Sequence, residues 1–159
     1  MFNQFDLDSA LLGGIESAGF KKPTSIQELV LPVAMTGKDL LASAPTGTGK
    51  TAAFILPAAQ HLLDYPRNKP GFPRVLILSP TRELALQTHE QCEKLTSLTK
   101  IKSGVITGGV NYGSHKEILT TNTDILVATP GRLMEYIESE QFDCREIEVL
   151  ILDEADRML

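Results

Sequence analysis

Three apolar runs restrict this chain more than anything else in it: Val75-Leu76-Ile77-Leu78, Ile125-Leu126-Val127-Ala128 and Val149-Leu150-Ile151-Leu152. None alternates with polar residues. A strand with one face in water alternates, whereas an unbroken apolar strand is covered on both faces, as in a parallel sheet. With two shorter candidates, strands are expected over residues 39–43, 74–79, 103–107, 124–129 and 148–153. Helical periods fall at about 9–18, 25–35, 49–63, 82–99, 113–119 and 131–139. Repeated strand–helix–strand units predict an α/β fold: a parallel sheet with helices on both faces and right-handed crossovers. Residues 64–74, rich in Pro and Gly, are expected to form a surface loop. Little chain follows Asp153, so the sheet is expected to be truncated before its last strands.

Composition removes several classes. With 159 residues, 42% of them hydrophobic, the chain can build one real core. A net charge of −5 gives no general basic footprint, although a local patch can act within an acidic domain. Cys92 and Cys144 form no CxxC pair, and His61, His89 and His115 show no metal-ligand spacing. The N-terminus has neither a basic start nor an apolar core, and no run approaches the roughly 20 apolar residues of a membrane helix. A cytoplasmic protein without membrane contact is expected.

Between the first expected strand and the helix after it lies Ala44-Pro45-Thr46-Gly47-Thr48-Gly49-Lys50-Thr51. This is a Walker A pattern in the context that such a loop requires, with Ala44 where the first glycine usually stands. Gly47 and Gly49 let successive amides of Thr46 to Thr51 turn inward as an anion cradle. The following helix adds its positive end. Lys50 would reach the β- and γ-phosphates, and the Thr51 hydroxyl would hold Mg²⁺. A glycine-rich connection that binds nothing is the alternative. Asp153 and Glu154 close an apolar strand, at the edge where open α/β sheets bind ligands. Asp153 suits a magnesium ligand and Glu154 suits orienting or deprotonating a water. The competing reading is a solvated or helix-capping acid.

"GFKKPTSIQ" (19–27), "APTGTGKT" (44–51), "PTRELA" (80–85), "GG" (108–109), "TPGR" (129–132) and "DEAD" (153–156) follow one another in order. Together they resemble the N-terminal RecA-like domain of a DEAD-box ATP-dependent RNA helicase. "HLLDYPR" and "FDCREIEVLILDEADRML" resemble a branch of that family associated with assembly of the large ribosomal subunit. The resemblance divides the chain into N-terminal helices with an adenine motif, 1–37, and a partial RecA-like P-loop domain, 38–159. It implies ATP and Mg²⁺, with Lys50, Asp153 and Glu154 catalytic.

The resemblance assigns Lys22, Thr24 and Gln27 to adenine recognition, with Phe2 stacking on the base and Phe5 as the fallback. The Gln27 amide carries the donor and acceptor that adenine N6 and N7 need. Thr24 and Gln27 also form a capping box for the helix they begin, and both readings stand. The resemblance turns Pro80, Thr81, Arg82, Gly108, Gly109, Thr129, Gly131 and Arg132 toward an RNA backbone, with little sequence preference. Helix capping competes for Thr81 and Thr129, and loop support for Arg132. Asp156 either caps a helix or links to a later motif.

A second RecA-like domain of the same protein is implied as partner. The fragment is expected to be unstable or to associate, and to hydrolyse ATP negligibly. Three functions follow: an RNA helicase that couples ATP hydrolysis to duplex remodelling, an ATP-dependent RNA clamp, or another P-loop ATPase acting on DNA or small phosphoryl acceptors, against which the adenine motif and "PTRELA" argue.

Overall fold

The computed structural model describes every residue except Thr46, Thr121 and Leu159. The described chain divides into two compact units, residues 1–66 with 91–100, and residues 67–90 with 101–159.

The first unit is helical. It holds α1 (Ser9–Ser17), α2 (Ser25–Ala34) and α3 (Lys50–Asp64). Asp8 caps α1 by accepting from the Ala10 amide at 2.8 Å. Gln60 of α3 accepts from the Asp8 amide at 2.7 Å and donates to Asp64 at 2.9 Å, tying the start of α1 to α3. Leu11, Ile15, Leu31, Ile55 and Leu56 are buried almost completely. Gly14 cannot be replaced without movement, because a Cβ there would lie 2.2 Å from the Leu95 carbonyl oxygen.

The second unit holds β1 (Val75–Leu78), β2 (Ser103–Ile106), β3 (Ile125–Ala128), β4 (Val149–Leu152), α5 (Lys116–Thr120) and α6 (Pro130–Glu138). Another helix, α4 (Arg82–Leu95), contributes its residues up to Glu90 here and the rest to the first unit. The four strands are parallel in the order β2-β3-β1-β4. Leu76, Ile106, Leu126, Leu133, Tyr136 and Phe142 form the core.

The expected α/β class and parallel sheet are observed, and β1 and β3 are the buried strands that their unbroken apolar runs predict. Two expectations need correction. Residues 39–43 form no strand: a strand exists only where another receives its hydrogen bonds, and no described strand pairs with this segment. Leu41 is 96% exposed. β4 is not covered on both faces either. It pairs only with β1 among the described residues and alternates in exposure, so Leu150 and Leu152 are more than half exposed. The 82–99 helix ends at Leu95, where Thr96 and Thr99 turn their hydroxyls onto the carbonyls of Cys92 and Thr96. The 64–74 loop is present and is held by Arg67 and Glu146, which bond the Phe72 carbonyl and amide.

Candidate nucleotide and nucleic-acid sites

The phosphate-loop motif lies in the first unit. Gly49 caps α3 at φ +83°, a left-handed backbone that favours glycine. Its surroundings exclude a side chain as well: a Cβ would sit 2.4 Å from Gln27 Nε2. That nitrogen donates to the Gly49 carbonyl at 3.0 Å, while Gln27 Oε1 accepts from the Thr24 amide at 2.9 Å. The capping box is complete, since Thr24 Oγ1 accepts from the Gln27 amide. Gln27 is fully buried. The capping and loop contacts therefore occupy the side chain assigned to adenine. Lys22 is exposed, and Phe2 is buried edge-on to Phe5 with ring centroids 6.4 Å apart.

The loop is fastened to itself. Lys50 Nζ donates to the Ala44 carbonyl at 3.3 Å, and Thr48 Oγ1 donates to the Pro45 carbonyl at 2.6 Å. A phosphate oxygen is a stronger acceptor for an ammonium than a carbonyl is, so the Lys50 contact is one an anion can replace. Lys50 and Thr51 form the first turn of α3, at its positive end. Thr46 lies outside the described residues.

The other motifs lie in the second unit, and sheet register brings them together. Leu78, Ala128 and Leu152 are paired partners, as are Ala128 and Ile106. The strands run in one direction, so "PTRELA", "GG", "TPGR" and "DEAD" all emerge at one edge. At the end of β4 the Asp153 amide donates to the Leu78 carbonyl at 2.9 Å. The Asp153 side chain is buried, and Thr88 Oγ1 donates to its Oδ2 at 3.1 Å. Sequence reasoning missed Thr88. Its signal is a hydroxyl on the inward stripe of α4, between Ala85 and Cys92. Glu154 adopts φ +53°, a conformation that costs a non-glycine residue on the order of 1 kcal/mol. Asp156 is exposed in the 3₁₀ turn Ala155–Met158.

Thr81, Arg82, Gly109 and Gly131 are exposed, and Pro80 and Thr129 partly so. Thr81 accepts from the Leu84 amide at 3.2 Å, as a helix cap does. Thr129 makes no side-chain cap to α6. Its hydroxyl accepts from the Gly108 amide at 3.2 Å, so "TPGR" holds "GG". Gly109 has φ +81°, and its Cβ position lies 3.6 Å from the Arg82 guanidinium.

Arg132 is buried. It donates to the Val110 carbonyl at 2.8 Å, pairs with Glu135 at 3.2 Å and lies 4.1 Å from the Tyr112 ring centroid. These contacts are the ones that loop support requires. Beneath Arg132, the Tyr136 hydroxyl lies 3.3 Å from the Tyr112 carbonyl and shares a hydrogen bond of 2.7 Å with His115 Nδ1. Burial, and then the Arg132 charge, hold the His115 pKa below its ordinary value. The hydrogen bond to Glu135 pushes the Tyr112 hydroxyl up.

Among the described residues, no group of three or more His, Cys, Asp or Glu is placed to hold a metal. The donors fit magnesium used with phosphates, since that ion takes one or two carboxylates and fills its shell with substrate oxygens and water. Among the described residues, no helix is long and apolar enough to cross a membrane.

The model of the DEAD/DEAH box helicase family matches residues 24–159. The chain belongs to that family. Among its relatives, the ATP-dependent RNA helicase SrmB of Haemophilus influenzae is 60% identical, covering 99% of this chain and 36% of the relative. SrmB of Escherichia coli is 56% identical over the same shares. DEAD-box ATP-dependent RNA helicase 28 of Arabidopsis thaliana is 48% identical, covering 99% of this chain and 20% of the relative. The DEAD-box chain thus spans about a third or less of the length of these relatives.

Proposed function

We propose that this chain is the ATP-binding portion of an SrmB-type ATP-dependent RNA helicase, active in the cytoplasm and in ribosome assembly. The single observation that supports this best is the register of the parallel sheet. It delivers the Asp153-Glu154 pair and three donor-bearing loops to one edge of one unit. In this reading the amides of the 46–51 loop hold the phosphates of ATP, with Lys50 leaving the Ala44 carbonyl for the γ-phosphate. Thr51 and Asp153 would hold magnesium, which when bound draws charge from the phosphate oxygens. Glu154 orients or deprotonates the attacking water. Gln27 senses adenine through the edge of a side chain already fastened to Gly49, with Lys22 and Thr24 beside it and Phe2 or Phe5 against the base. Pro80, Thr81, Arg82, Gly109, Thr129 and Gly131 bind RNA phosphates and 2′-hydroxyls, and Arg132 keeps the "GG" loop in place for them. Closure against a second RecA-like domain would couple nucleotide binding to RNA distortion.

The test is ATPase stimulation of the full-length protein by RNA and by DNA, together with Glu154→Gln. RNA-selective stimulation, and a variant that binds ATP and RNA without separating strands, are expected. Equal stimulation by DNA would overturn the RNA assignment. Remodelling that persists without hydrolysis would replace the helicase with an ATP-dependent RNA clamp.

A further inference from the structure

We infer that Thr88 is a positioning residue for Asp153, fixing the rotation of the carboxylate that receives the divalent cation; the inference rests on the nucleotide reading above. Thr88 sits at the end of the second turn of α4, 65 positions from Asp153 in sequence, yet donates to its Oδ2 at 3.1 Å. Both side chains are buried, Thr88 to 3% and Asp153 to 5% exposure. Threonine is a middling helix former, and a hydroxyl within a helix usually returns to a carbonyl of its own turn. Thr96 and Thr120 do so, donating to the carbonyls four residues back at 2.6 and 2.7 Å. A hydroxyl has one proton to donate, and Thr88 gives its own to the carboxylate.

The consequence follows from how an aspartate side chain moves. Its last torsion joins sp³ to sp² carbon and is broad, so the backbone alone leaves the oxygens loosely placed. The Asp153 backbone is held through its amide by β1. Thr88 adds a constraint on the side chain itself, favouring one rotation. Magnesium tolerates little error, since its ligands stand near 2.0–2.1 Å in octahedral geometry. Groups that orient a metal ligand typically change metal affinity by about 10- to 100-fold.

The test uses the full-length protein, a fluorescent ATP analogue and magnesium chloride. The magnesium concentration at half-maximal nucleotide binding is measured for wild type, Thr88→Val and Thr88→Ser, beside nucleotide affinity in EDTA and the melting midpoint without magnesium. Thr88→Val keeps the branched shape and removes the hydroxyl. Its magnesium midpoint is expected to rise about tenfold or more, with affinity in EDTA unchanged, and Thr88→Ser is expected to restore most of it. A Thr88→Val protein that melts lower but keeps the wild-type magnesium midpoint would overturn the inference and leave Thr88 a packing residue. Equal losses in the serine and valine variants would overturn it too. A wild-type protein without magnesium-dependent nucleotide binding would instead overturn the nucleotide reading, and the role of Thr88 with it.

Discussion

Replacing Gln27 with leucine should weaken the protein before any nucleotide is added. Leucine is close to glutamine in volume, so the fully buried site is not emptied. What disappears is the pair of side-chain hydrogen bonds, from the Thr24 amide at 2.9 Å and to the Gly49 carbonyl at 3.0 Å. Each is worth about 1 kcal/mol net, so Gln27→Leu should cost about 2 kcal/mol. For a chain of 159 residues, that lowers the melting midpoint by about 4–8 °C. The second loss also releases the Gly49 carbonyl, where the phosphate loop meets α3. If anchoring that carbonyl is worth about 1 kcal/mol to the bound phosphates, ATP and GTP affinity both fall about fivefold. A further loss confined to ATP would measure base recognition on its own. The assay is a nucleotide-free melt followed by parallel ATP and GTP titrations. An unchanged melt would refute the reasoning, because the cap and the loop contact would then carry no stability.

Arg132→Gln should lose both the ion pair with Glu135 and the contact with the Tyr112 ring, loosening residues 108–112; RNA affinity should fall severalfold while ATP affinity in the absence of RNA stays, as filter binding would show. His115 is held neutral, with its folded pKa below its unfolded value, so its contribution to stability is present above the ordinary pKa of about 6.5 and is lost as pH falls through the folded value. Urea midpoints measured from pH 7.5 to 5 should fall with acid, and His115→Gln should flatten that dependence. The Cys92 thiol, pushed up to about 12 by burial and then by Glu93, should resist a thiol reagent until unfolding, while the exposed Cys144 reacts in the native state; mass spectrometry of the labelled peptides distinguishes them.

The parallel sheet was legible because Val75–Leu78 and Ile125–Ala128 carry a local signal, an unbroken apolar run, that reflects burial on both faces. The same signal misled at Val149–Leu152 and at residues 39–43. Composition reports what a segment could bury, whereas coverage and pairing depend on neighbours elsewhere in the chain. The motif glycines were equally plain, since Gly49 answers to backbone geometry. What the sequence hid is direction. Nothing in "TPGR" says that Arg132 turns toward Val110, that the Thr129 hydroxyl reaches Gly108 rather than its own helix, or that Thr88 meets an acid 65 residues away. Each needs two distant segments placed before it can be seen.

The hydrogen-bonded register of β1 with β4 makes the location of Asp153 a matter of whole steps. Sliding β4 by one residue would carry the acid about 3.3 Å and turn it to the opposite side of the sheet. The backbone ladder offers no smaller increment, so graded adjustment of this carboxylate, by natural variation or by an engineer, must come from side chains that lean on it.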